Sequence, residues 1–184
     1  MPFEKIKDEV YAATGLHPVM TKKDIEYIQD KAEASLLKKC RILMHGFPPD
    51  SILHVMLVVL KNSSYTPPHM HKEPEYNYIL EGRLGVFHFN QVGDLKDSIV
   101  LGPKESEFPC LIRLDPGYFH LEISLTPSVT FLEMQVGPHT QTQFATWAPP
   151  APISAENRLI VGQYLNELCQ RAGFSFEGFK NDDI

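Results

Sequence analysis

The sequence predicts a mainly β domain, a sandwich or barrel of short strands with a helix at each end. Between residues 41 and 138, short runs rich in β-branched and aromatic residues alternate with Gly, Pro, Asn and Asp. On either side of that stretch the apolar spacing changes to the helical repeat. The 184 residues, 43% of them hydrophobic, suffice for one domain with a substantial core.

The first helix opens at Thr21, a capping residue with Asp24 three positions on. Ile25, Ile28, Ala32 and Leu36 then repeat at helical spacing, which carries the helix to about 37–40. No element is assigned to the arm before it. The run 52–60 is apolar on both faces, as in a strand covered by a second layer. Further strands are expected at 76–80, 84–89, 98–101, 111–114, 120–125 and 129–136, with turns at 81–82, 92–94, 115–117 and 126–128. Prolines 138, 149, 150 and 152 break up a connector, and its Trp147 is expected to pin it to the barrel. The last helix starts after Ser154 and stops at Gly173. One domain thus comprises an arm and helix (1–40), a barrel (41–138), a connector (139–153) and a helix with tail (154–184).

Net charge is −6 and no basic stripe appears, which argues against nucleic acid as a partner. No apolar stretch suits a signal peptide, and the run 52–60, interrupted by His54, is too short for a bilayer. Cys40, Cys110 and Cys169 are odd in number and widely spaced, so they read as small buried hydrophobes rather than a disulfide framework. A cytoplasmic protein with no membrane partner is expected.

His69, His71, Glu75 and His120 carry the chemistry. Side chains two apart in a strand share a face, so His69 and His71 point together, and Glu75 keeps their parity after the bend 72–74. Gly82 ends the following run, and His120 comes 45 positions after Glu75 behind the turn Asp115-Pro116-Gly117. Three imidazoles and a carboxylate suit one divalent transition metal ion, Fe, Mn, Ni, Co or Zn, with room left for water or substrate. Ordinary imidazoles protonate near ~6.5, so mild acid is expected to loosen the ion.

Residues 63–82 resemble the first cupin motif, with Ser63 where its leading glycine usually stands. The second motif is matched at Gly117 and His120, while Asp115 occupies its proline position and Ser124 its later asparagine position. Lys39-Cys40-Arg41 to His45, Ser64-Tyr65-Thr66-Pro67-Pro68-His69, Phe89-Asn90-Gln91-Val92-Gly93 and Leu132-Glu133-Met134-Gln135-Val136-Gly137-Pro138 are similar to the WbuC family of cupin metalloproteins. The resemblance covers roughly residues 21 to 140. It implies a single cupin jelly roll (double-stranded β-helix), a metal, a homodimer and a link to surface-polysaccharide metabolism, but no particular reaction.

Tyr65 shares parity with His69 and His71, which makes it a candidate catalytic phenol in the cavity. Glu133 is the second catalytic candidate. Asn77 (on Glu75 parity), Gln135 and Arg41 are candidates for substrate contact, and Glu122 shares parity with His120. Met56, Ile79, Val86 and Phe87 are expected in the apolar cavity wall. His17 is expected at the surface, and His54 is expected either to be hydrogen-bonded or to face the cavity, the satisfied core histidine being preferred. Two functions remain open: a metal-dependent enzyme on a small anionic or sugar-derived molecule, or a non-catalytic sugar- or small-ligand-binding cupin with a structural metal.

Overall fold

Two sheets carry the chain, and the alternation of their side chains decides which residues meet between them. The computed structural model describes residues 3–48, 50–138 and 142–179. In order, the elements are β1 (Phe3–Lys7), β2 (Val10–Ala13), α1 (Lys22–Ala34), β3 (Lys39–Leu43), β4 (Leu53–Lys61), β5 (His69–Met70) and β6 (Glu75–Glu81). They continue with β7 (Leu84–Phe89), β8 (Leu95–Leu101), β9 (Leu111–Leu114), β10 (Phe119–Ser124), β11 (Ser128–Val136), β12 (Gln143–Phe144) and α2 (Ala155–Ala172).

One sheet runs β1-β2-β3-β4-β11-β6-β9 and the other β12-β5-β10-β7-β8. Taken alone, β4 to β11 form two four-stranded sheets whose chain path crosses between them at nearly every connection. That is the double-sheet jelly roll, and its pairings are antiparallel. The fold is mainly β with an N-terminal and a C-terminal helix, as expected.

Alternation sorts the apolar residues into three layers. Met56, Val58 and Leu60 of β4 face inward with Leu84, Val86 and Phe131. Leu57 and Val59 face outward, where Ile28 and Ala32 of α1 cover them together with Cys40 and Ile42. The second sheet turns Phe87, Phe89, Leu121 and Ile123 outward against Val161, Leu165 and Leu168 of α2. The run 52–60 is therefore covered on both faces for the reason its composition suggested.

Local signals account for the helix ends. The Asp24 carboxylate accepts from the Thr21 amide (2.8 Å) and hydroxyl (2.6 Å), and these bonds lower its pKa. Ser154 accepts from the Asn157 amide, and Gly173 closes α2 at φ 71°. Where α1 was expected to reach 37–40 it stops at Ala34. From residue 39 the apolar residues Cys40 and Ile42 alternate under the helix, and strand pairing with Val58 and Val59 takes over. The arm without an assigned element holds β1 and β2, which extend the first sheet through a parallel β2–β3 pair. Gly82 sits at φ 79°, where a Cβ would also collide with the Ser128 carbonyl. Trp147 packs its ring against Phe89 and Phe119, which ties the connector to the second sheet.

Candidate metal centre

His69 and His120 are direct cross-strand partners on β5 and β10. His71 follows β5, and Glu75 begins β6 in the facing sheet, so the four residues meet between the sheets. The rings lie close: 4.4 Å between His69 and His120, 5.1 Å between His69 and His71, and 5.4 Å between His71 and His120. One nitrogen from each of the three falls within 4.8 Å of the others, an arrangement that could hold a metal ion. His71 Nε2 lies 3.2 Å from Glu75 Oε2.

Hydrogen bonds aim these groups. His69 Nδ1 is 3.1 Å from the Pro67 carbonyl, which fixes the proton there and leaves the Nε2 lone pair for the site. His120 Nε2 is buried with no hydrogen-bond partner among the described residues. Glu75 Oε1 accepts at 3.0 Å from Asn77 Nδ2, which also donates to Glu122 Oε1. Asn77 is fully buried, so its amide holds both carboxylates in place.

Burial lowers the His69 pKa to about 4 and, with His69 adding, that of His120 to about 3. Both are neutral near pH 7, the form that ligates. Burial opposes the Glu75 charge, but the His71 hydrogen bond and the neighbouring imidazoles outweigh it and hold this pKa low. Burial, reinforced by Glu75, raises Glu122 well above its ordinary value and Glu133 to about 8. The centre thus sets one anionic carboxylate among two that retain their protons. This donor set fits a divalent transition ion, three imidazole nitrogens and one anionic oxygen being what such an ion takes.

His69 and His71 border a cavity of about 550 Å³, the size of a small-molecule site. Glu122, Glu133, Gln135 and Arg41 line it, with Arg41 exposed. Met56 lines it as expected, and Val86 and Ile79 belong to the inner core behind it. Gln135 pairs with Glu75 on one side and His54 on the other.

Two expectations fail here. Tyr65 does not enter the cavity: its hydroxyl donates to the Pro149 carbonyl at 3.0 Å and its ring meets Tyr164 of α2 edge-on. Residues 62–68 are not a strand, so parity counted back from His69 does not hold across them. Phe87 likewise packs outward beneath α2, against Phe174. His17 is exposed as expected, and His139 lies outside the described residues.

Sequence reasoning missed several cavity residues. His45 and His54 stack in parallel at 4.0 Å and line the cavity; His54 Nε2 has no hydrogen-bond partner among the described residues, so of its two expected places His54 takes the cavity and not the satisfied core. Lys39 and Thr66 line it too. The signal for Lys39 was present in the alternation 39–43, where Cys40 and Ile42 claim the opposite face.

The family described as a domain of unknown function (DUF6016) matches residues 20–101, less than half of the chain. No curated protein sequence matches significantly. Among solved structures, a mutant of Bacillus subtilis oxalate decarboxylase is 18% identical with a TM-score of 0.47, over 73% of this chain and 34% of that one. A Shewanella oneidensis protein is 10% identical with a TM-score of 0.45, over 71% and 78%. An RmlC-like cupin family protein from Methanocaldococcus jannaschii, described as a double-stranded β-helix, is 11% identical with a TM-score of 0.40, over 49% and 74%. With TM-scores below 0.5, these likenesses carry no weight beside the strand order itself.

Proposed function

We propose that the chain is a mononuclear metal-dependent enzyme of the cupin type, acting on a small anionic or sugar-derived molecule. His69, His71, Glu75 and His120 would hold one divalent ion, Fe, Mn, Ni, Co or Zn. The observation that carries this reading is the convergence of three imidazole nitrogens within 4.8 Å, beside buried Glu75, at the wall of a cavity of about 550 Å³. Such an ion supplies Lewis-acid polarisation of a substrate oxygen, or activation of water or dioxygen.

The other residues divide the remaining work. Asn77 orients Glu75 through its amide. Glu133, raised to about 8 by burial and lining the cavity, keeps a proton near pH 7 that it can donate to bound substrate. Gln135 and Arg41 offer polar contacts along the same cavity. The WbuC resemblance supports a place in surface-polysaccharide metabolism and a homodimer, and the few, widely spaced cysteines suit a reducing cytoplasm. No helix among the described residues is long and apolar enough to cross a membrane.

The open cavity beside the histidines favours catalysis over a closed structural ion. Protein loaded with Mn(II) is expected to enhance water-proton relaxation, because an exchangeable water reaches the ion. Relaxation no greater than that of the metal-free protein at full Mn(II) occupancy would place the ion in a closed site and favour the ligand-binding alternative.

A further inference from the structure

The cavity that exposes His69 and His71 also holds a lysine whose ammonium is hydrogen-bonded to a hydroxyl and ion-paired with no carboxylate among the described residues. Lys39 and Arg41 share the face of β3 opposite Cys40 and Ile42, which pack beneath α1, and both line the cavity. Lys39 Nζ donates to Thr66 Oγ1 at 2.7 Å and has no ion-pair partner among the described residues. Thr66, which it contacts, lies three residues before His69, and all three residues line the cavity. Burial lowers the Lys39 pKa to about 8, with Glu9 opposing. Glu9 is itself engaged, accepting from the Leu37 amide at 3.1 Å. A partly desolvated ammonium held by a hydroxyl and by no direct ion pair is costly. An incoming carboxylate would relieve that cost.

We propose that Lys39, with Arg41 at the mouth and Thr66 orienting the ammonium, anchors the anionic end of a small organic carboxylate whose other end faces the three histidines. This inference rests on the metal-centre reading and deepens it, since it assigns the substrate class and a specificity-determining residue. The carboxylate receives one charge-assisted hydrogen bond from Lys39 Nζ while Thr66 fixes the direction of the side chain. Arg41, more exposed, adds a second cation at the entrance.

The test is calorimetric titration of zinc-loaded protein with malonate, succinate and glutarate. Wild type is expected to bind at least one of the three, and Lys39→Met to bind it about tenfold or more weakly at unchanged zinc content and melting temperature. Lys39→Arg should retain most of the affinity, and Lys39→Gln is the second neutral variant should Lys39→Met fold poorly. Equal affinity in wild type and Lys39→Met, or no binding of any of the three by wild type, would overturn the proposal. Loss of zinc with Lys39→Met would overturn it as well, by showing that Lys39 supports the centre instead. A wild type that takes up no zinc would sink the metal reading alone; Lys39-dependent binding of the same anions by metal-free protein would then still decide this one.

Discussion

Removing the bound ion with a chelator at pH 7.5 is expected to lower the melting temperature by roughly 5–11 °C. The donors come from β5, the segment after it, β6 and β10, so an ion among them ties the two sheets together and binds the folded chain in preference to the unfolded one. Free metal a hundredfold above its dissociation constant stabilises the fold by about 2.7 kcal/mol. For a chain of this length, each kcal/mol moves the midpoint by about 2–4 °C. The metal-free protein keeps its inner core and both helix-covered faces, so it remains folded.

Acid has its own signature. His69 and His120 titrate near 4 and 3 when folded, against about 6.5 in an unfolded chain. Their stability contribution is therefore complete above pH 6.5. It is lost as pH falls toward 4, because only the unfolded state takes up protons in that window. Calorimetry of the chelated protein should show this decline. Metal should persist further into acid than ordinary imidazoles would allow, which revises the expectation of loosening near 6.5. An unchanged melting curve after verified metal removal would uncouple the site from the fold.

Phe87→Ala is expected to cost about 3–5 kcal/mol while leaving metal content unchanged. The ring is fully buried on the outer face of β7, where it packs with Leu165 and Leu168 of α2 and touches Phe174. Little nearby can collapse into the space, because the sheet lies on one side and a helix on the other. Chemical denaturation measures the loss, and elemental analysis measures the metal. A small loss of stability joined with a large loss of metal would return Phe87 to the cavity wall.

The contrast between Phe87 and Met56 shows where the sequence is legible. Both lie in strands, and the period-2 rule says correctly that neighbours alternate, but it does not say which face is inside. That choice is made by α1 and α2, whose docking is a tertiary event. The convergence of His69, His71 and His120 was legible because their spacing is tied to a motif, and His69 and His120 indeed pair across strands. Tyr65 was misread because parity was carried through 62–68, a segment without strand geometry. Lys39 was not read as a cavity residue because the helical repeat was run on to 37–40, and the five-residue strand offers only two apolar residues, Cys40 and Ile42, on the face that contests it. β5 and β12, two residues each, are too short to leave a pattern and exist only through their pairing with each other and with β10.

The most direct test of the central claim is elemental analysis of protein purified without added metal. The wild type should carry one divalent transition ion per chain. His120→Ala and His71→Ala should lose most of it, whereas His17→Ala, altered at an exposed site, should retain it in full. Equal metal content in all four proteins, or an ion lost only when Cys40, Cys110 or Cys169 is replaced, would contradict the assignment of the site to His69, His71, Glu75 and His120.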